Sequence, residues 1–286
     1  MATISAALIV KNEAKVLKRC LDSLRGLDQI VVVDTGSQDD THAIALAAAT
    51  RVFSCDWCDD FSAARNKALE HCTGDWILSI DADEFLPKGE VKKIKKAVAK
   101  AKGNTISIRI KQGATEEFWY PRLFRKGGHF EGRLHELLIP AGEGCDTSEI
   151  TIIHAQDPDH RRDPEKNIAI LLEEARLGKP RETYYLAREY WYKGDYITAA
   201  WWFQRYLEVG GWKAERCDAY LYLARCLWAL GRGDEARQAC LRAIEGNPDF
   251  KEAFLFMAEM SYEREAALWR RIAKQAESTD VLFRRA

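Results

Sequence analysis

Two carboxylates two residues apart, Asp81 and Asp83, follow directly on the apolar run Trp76-Ile77-Leu78 and Ile80 and stand beside Glu84. At that spacing both can reach one hard divalent cation while the backbone turns, and such a cation most often bridges carboxylates to a phosphate. An isolated Asp-x-Asp is more commonly a solvated acidic turn, so its surroundings must decide. The run before it is short and bounded by Thr73-Gly74 and Pro87-Lys88-Gly89, the pattern of a strand buried on both faces. Acids at the C-terminal end of such a strand lie where open α/β sheets place their ligands. The arrangement recurs upstream, where Ile30-Val31-Val32-Val33 ends in Asp34 and a short strand at 51–53 leads to Asp56, Asp59 and Asp60.

The elements that must hold these acids alternate. A strand at 4–10 is broken by Lys11-Asn12-Glu13 before a helix with Val16, Leu17, Leu21 and Leu24 on one face. Helices over 41–49 and 61–72 follow the next two strands, the second carrying Arg65, Asn66 and Lys67. This order predicts a mostly parallel sheet with right-handed crossovers, an α/β domain whose strand ends converge on one crevice. Neither G-x-G-x-x-G nor G-x-x-x-x-G-K-[ST] occurs, which disfavours dinucleotide oxidoreductases and P-loop enzymes. A phosphate ligand would then need a cation together with Arg65 or Lys11. Strands at 105–111, 117–125 and 150–154 complete the sheet. The helix at 90–103 carries lysines 92, 93, 95, 96, 100 and 102 opposite Val91, Ile94 and Val98, and reads as a solvated face. Residues 127–136 gather glycines, His129, Glu131, His135 and Glu136, a poor core and a plausible site.

Length and composition bound the rest. The 286 residues predict two domains, at 1–160 and 161–286. A formal net charge of -1 gives no support to tight non-specific nucleic-acid binding. No apolar run approaches a membrane span and no leader pattern opens the chain, so a cytoplasmic location is expected. The eight cysteines are scattered and expected to be reduced; Cys55-x-x-Cys58 has no second pair at zinc-ligand distance.

The blocks A-L-I-V-K-N-E, I-V-V-V-D-T-G-S-Q-D-D-T, D-W-C-D-D-F-S-A-A-R-N and G-D-W-I-L-S-I-D-A-D-E, in that order, resemble the family 2 glycosyltransferases of GT-A fold over residues 4–154. The resemblance implies a nucleoside-diphosphate sugar, with UDP the expected nucleotide, held across the crevice. Asn12, Glu13 and Asp34 would border base and ribose, and Asp60 and Arg65 would flank the nucleotide, Arg65 facing the diphosphate. Asp81 and Asp83 would be the D-x-D pair, with Asp83 favoured as direct ligand of Mn²⁺ or Mg²⁺ and His154 completing the metal or diphosphate site. Asp34 and Asp60 could instead cap the helices that follow them. Inverting transfer needs a base to take the acceptor's proton; Glu136 is the first choice, with His135 and Glu131 as alternates. The segment at 157–164 reads as a lid or a linker.

Beyond residue 164 the periodicity is helical throughout. Leu186-Ala187, Gly194, Ala199 and Phe203 return 37 residues later as Leu223-Ala224, Gly231, Ala236 and Cys240, and Met257-Ala258 follows at a further 34. This resembles the tetratricopeptide repeat, with two full copies and a truncated third. Tyr185, Arg188 and Trp191 recur as Tyr222, Arg225 and Trp228, and fall at positions facing the concave groove of such repeats. They are expected either to line an acceptor groove or to pack against a neighbouring element.

The function expected is therefore metal-dependent, inverting transfer of a sugar to a peptide, protein or other macromolecule. Two alternatives stand beside it: transfer to hydroxymethylated DNA bases, kept open by the lysine helix and Arg161-Arg162, and a non-catalytic adaptor that binds proteins through its repeats.

Overall fold

The computed structural model describes residues 2–113, 116–155 and 163–276. The chain forms two compact units, residues 1–161 and 162–286.

The first unit is built on one eight-stranded sheet. Its strands, in chain order, are β1 (Ile4–Val10), β2 (Gln29–Asp34), β3 (Arg51–Ser54), β4 (Trp76–Ser79), β5 (Glu84–Phe85), β6 (Thr105–Gln112), β7 (Glu116–Arg125) and β10 (Cys145–His154). Across the sheet the order is β3-β2-β1-β4-β7-β6-β10-β5. Every pairing is parallel except those of β7 with β4 and β6 and of β5 with β10. Helices α1 (Leu17–Ser23), α2 (Thr41–Ala48), α3 (Phe61–Glu70) and α4 (Glu90–Lys100) make the crossovers. The central strands are apolar on both faces because both are covered: Leu8, Val32 and Leu78 pack with Leu17, Leu21 and Ile94, while Val31, Val33 and Ile77 pack with Ala68 and Phe130. A small hairpin, β8 (His129–Glu131) and β9 (Leu137–Ile139), stands apart from the main sheet.

The topology does two things for the strand ends. β5 leaves the end of β4 only five residues later, yet pairs at the far edge of the sheet with β10, setting His154 opposite Glu84. Antiparallel β7, inserted between β4 and β6, brings its own side chains against the acids that follow β4.

The second unit is helical among its described residues: α5 (Pro164–Arg176), α6 (Pro180–Lys193), α7 (Tyr196–Val209), α8 (Lys213–Ala229), α9 (Gly233–Gly246), α10 (Lys251–Glu259) and α11 (Glu263–Gln275). After α5 the helices pack in successive pairs. Leu186, Ala187, Leu223, Ala224, Met257 and Ala258 are all buried, as repeat periodicity requires. The third copy, expected to be truncated, has both of its helices, because α11 packs along α10 and buries Ala266 and Ala273. Gly194 ends α6 in the left-handed conformation at φ 80°, where a side chain would be strained. Residues 156–162, most of the expected lid or linker and both Arg161 and Arg162, lie outside the described residues.

Candidate functional site

Asp81 stands two residues past the end of β4, with both oxygens engaged by guanidinium groups. Oδ1 accepts from Arg65 Nη2 at 2.8 Å and Oδ2 from Arg122 Nη2 at 3.1 Å. Arg65 rises from α3, and its Nε donates to Glu136 Oε1, so one arginine joins the D-x-D acid to the expected base. The 127–136 loop is fixed there by Asn66, which exchanges two hydrogen bonds with the Phe130 backbone at 2.9 and 2.8 Å. His135 takes a left-handed φ of 57°, turning the chain just before Glu136.

Arg122 is a site residue that the sequence did not disclose. From β7 its Nη2 also donates to Glu84 Oε1 at 2.9 Å, while Glu84 Oε2 accepts from the Asp81 amide at 2.9 Å. Arg122 Nε is buried without a hydrogen-bond partner among the described residues. A buried donor left unmade is costly, which suits a site that receives oxygen-rich anions.

The network separates its carboxylates electrostatically. Burial would raise the Asp81 carboxyl, but the charges of Arg65 and Arg122 outweigh it and hold Asp81 well below the usual range. Glu84 is pushed up to about 7, chiefly by burial, with Arg122 opposing and the Asp81 charge adding to the rise. Burial would likewise raise Glu136; the adjoining Arg65 overcomes it and keeps Glu136 low and ionised.

Asp83 and His154 meet directly, Oδ2 to Nε2 at 2.9 Å, although 71 residues separate them. Burial alone would lower the imidazole, but the hydrogen bond and charge of Asp83, with Glu84 and Asp81 beyond, raise it. Among the described residues no three His, Cys, Asp or Glu side chains are grouped to hold a metal unaided. One carboxylate and one imidazole nonetheless fit Mn²⁺ or Mg²⁺ that draws its other ligands from water and phosphate oxygens. Asp81, expected as a second metal ligand, pairs with one arginine through each of its oxygens.

The other expected residues divide. Asp34 Oδ1 accepts from the Gly36 and Ser37 amides at 3.1 and 2.9 Å, and Oδ2 pairs with His42 Nδ1 at 3.1 Å. Asn12, at φ 56°, accepts from the Gln38 amide at 2.7 Å, and the Glu13 amide donates to Thr41 Oγ1 at 2.7 Å, tying the end of β1 to the loop after β2. Beside them a cavity of about 490 Å³ is lined by Asp34, Gly36, Ser37, His42, Ser54, Cys55 and Asp56. Asp60 caps α3, its Oδ1 accepting from the Ala63 amide at 2.9 Å, which is the structural alternative weighed for it. Glu131 is exposed and pairs with His129 at 3.2 Å rather than with the arginines.

The aromatic positions, expected either to line a groove or to pack against a neighbouring element, are mostly packed. Tyr185 and Arg188 are each 4% exposed and Tyr222 is also buried. Arg188 lies against the rings of Tyr184, Tyr192 and Tyr222, and its Nη2 donates to Tyr192 Oη. Trp191 packs edge-on to Tyr222 at 4.9 Å. These side chains form a core between repeat helices, leaving Arg225 half-buried and Trp228 exposed.

A mostly parallel sheet carries, at its strand ends, the D-x-D acids, the arginine pair Arg65 and Arg122, and the cavity of about 490 Å³. The model of glycosyl transferase family 2 matches residues 5–206, and the chain belongs to that family. The match runs past the first compact unit into α7. A tetratricopeptide repeat model matches residues 218–260. The chain is 33% identical over 152 residues to the SPbeta prophage-derived glycosyltransferase SunS of Bacillus subtilis, covering 47% of this chain and 34% of that protein. It is 53% identical over 87 residues to a TPR repeat-containing protein of Synechococcus elongatus, covering 30% of this chain and 22% of that one. The chain thus spans about a fifth to a third of these relatives. The structure of S. aureus TarS, residues 1–349, aligns over 96% of this chain and 90% of that one at 14% identity and a TM-score of 0.46. No helix among the described residues is long and apolar enough to cross a membrane.

Proposed function

We propose that the first unit is the catalytic domain of a metal-dependent, inverting glycosyltransferase that moves a sugar from a nucleoside-diphosphate donor to a macromolecular acceptor. The observation that carries this reading is the contact of Asp83 with His154 beside the Arg65–Asp81–Arg122 network, at the ends of strands remote in sequence. Asp83 and His154 would hold Mn²⁺ or Mg²⁺, which when bound neutralises charge on the departing diphosphate without proton transfer. Arg65 and Arg122 orient Asp81 and add positive potential facing the same oxygens.

Glu136 is the group we assign as base. Its pairing with Arg65 keeps it ionised, and the Asn66 clamp on the loop fixes its place. His135 and Glu131 stand as alternates, Glu131 the less favoured because it points to His129. The tetratricopeptide match supports a peptide or protein acceptor bound by the helical unit over a DNA acceptor. Membership of the family supports an enzyme over a pure adaptor.

The test is thermal stabilisation by a panel of nucleotide sugars, with Mn²⁺, Mg²⁺ or chelator. A specific donor should raise the melting temperature only when a divalent ion is present. No shift with any donor, with or without metal, would return the adaptor reading to first place.

A further inference from the structure

The outer face of α4 is a charged surface that the transfer chemistry does not use. The helix packs on the sheet through Ile94 and Val98, and its acid, Glu90, is buried, accepting from the Thr151 amide at 2.9 Å and pairing with Lys93 at 2.7 Å. Lys92, Lys93, Lys95, Lys96 and Lys100 fill the solvent side, where Ala99 is the only other exposed residue of the helix. They recur three and four apart, so Lys92 neighbours Lys95 and Lys96, and Lys96 neighbours Lys93 and Lys100, like-charge contacts that weaken a helix. Lys92 and Lys93 also stand near the N-terminal, positive end of the macrodipole. Other exposed helical cations are relieved by acids one turn away, as Lys18 by Asp22, Lys67 by Glu70, Arg205 by Glu208 and Arg242 by Glu245. Among the described residues Lys92, Lys95, Lys96 and Lys100 lie in no ion pair.

The bias extends past the helix. From residue 91 to residue 115 the sequence holds eight basic residues and no acid, and from 88 to 126 twelve basic residues against three acids, in a chain whose net charge is -1. The composition of the face selects among polyanions. Its cations are ammonium groups spread over ~12 Å of helix, with no arginine, amide or aromatic side chain beside them on α4. It therefore lacks the bidentate forks and stacking rings that grip nucleic acids. Hydrated point charges that diverge from one helix suit an extended anionic surface, where each lysine adds its own attraction.

We infer that the lysine face of α4 docks the protein on a bilayer rich in anionic phospholipid. The contact is electrostatic and peripheral. The apolar side of α4 is committed to the core through Ile94 and Val98, so the helix has nothing to insert among the acyl chains. Attraction to the lipid phosphates offsets the repulsion that the lysines carry among themselves. The docking is independent of the donor and acceptor readings, because none of these lysines belongs to the site after β4.

The experiment is flotation of the full chain with vesicles of phosphatidylcholine alone and with about a third phosphatidylglycerol, at low salt and at about 0.5 M salt, where the Debye length falls below about 5 Å. The protein should float with the anionic vesicles at low salt, ignore the neutral ones and be released by salt. The triple variant Lys92→Gln, Lys95→Gln, Lys96→Gln should lower the anionic-vesicle partition by about tenfold or more. Its melting temperature should equal or exceed that of the wild type, because repulsion along the helix is relieved. Lys213→Gln, Lys251→Gln, Lys274→Gln in the helical unit changes the net charge equally and should leave the partition within about twofold. No flotation with anionic vesicles, equal flotation with neutral ones, or equal loss in the two triple variants overturns the inference. A duplex oligonucleotide that stays bound at salt which releases the vesicles, and is lost with the α4 lysines, also overturns it and makes the face a nucleic-acid surface.

Discussion

Replacing Arg122 by methionine tests whether the acids after β4 are held by a strand that arrives from far along the chain. The substitution keeps the stem of the side chain and removes the Nη2 that serves Asp81 at 3.1 Å and Glu84 at 2.9 Å. Asp81 retains Arg65, but Glu84, 2% exposed, keeps only the Asp81 amide and now faces the Asp81 carboxylate without a cation between. Loss of the Arg122 charge raises Glu84, already at about 7, still further, so its protonation limits the repulsion from Asp81. Breaking a buried pair from one side typically costs about 3–5 kcal/mol. We expect about 3 kcal/mol, since Arg65 still serves Asp81, which lowers the melting temperature by roughly 6–12 °C for a domain of this size. The assay is a denaturant or thermal melt with a double-mutant cycle. Adding Glu84→Gln to Arg122→Met should recover most of the loss, because it removes the carboxylate left alone. A loss below about 1 kcal/mol, or strictly additive effects of the two substitutions, would refute the coupling.

Glu136→Gln should still accept the Arg65 hydrogen bond while losing the basic oxygen, so donor binding stays near wild type and turnover falls by roughly 10²–10⁴; turnover within threefold of wild type would remove Glu136 as base. In the helical unit Asp218 and Glu215 have raised pKa values, in both cases chiefly through burial and against the opposing charges of Arg188 and Arg181. The folded state therefore holds protons that the unfolded chain has released, and this stability is full below the ordinary carboxylate range and lost as pH rises through the raised values. Melting followed from pH 8 downward should show stabilisation until about pH 4.5, where unfolded carboxylates begin to protonate; a flat profile would contradict the burial of both acids. Tyr185→Ala should cost about 3 kcal/mol as a cavity in a packed core, whereas Trp228→Ala, at a site 44% exposed, should cost under about 0.5 kcal/mol; equal losses in chemical denaturation would restore the open-groove expectation.

The strands that follow the period of their hydrophobic residues were legible one by one. Trp76, Ile77 and Leu78 read as a strand buried on both faces because both faces are covered, and Asp81 and Asp83 follow it for the reason the pattern suggests. What escaped the sequence depends on non-local pairing. Arg122 looks like one more charge near the end of a strand, and only the insertion of β7 beside β4 turns it onto Asp81 and Glu84. The two-residue β5 has too little periodicity to declare itself, yet its pairing with β10 is what brings His154 to Asp83. The hairpin of β8 and β9 hid among glycines, and the polar first half of β10 alternates toward solvent, so only its apolar end at 150–154 stood out. The 37-residue shift located the repeat correctly, but the shift alone could not tell a groove from the core beneath it. Tyr185, Arg188 and Tyr222 turned out to satisfy one another.

The central claim is that Asp83 and His154 hold a cation that secures the diphosphate, and the most direct measurement is the metal dependence of nucleoside-diphosphate binding. Wild-type affinity, measured by calorimetry with Mn²⁺ and then with excess chelator, should fall by at least about tenfold on chelation, a difference of about 1.4 kcal/mol. Asp83→Ala should bind equally weakly in both conditions. Binding by the wild type that is indifferent to chelation would contradict the account.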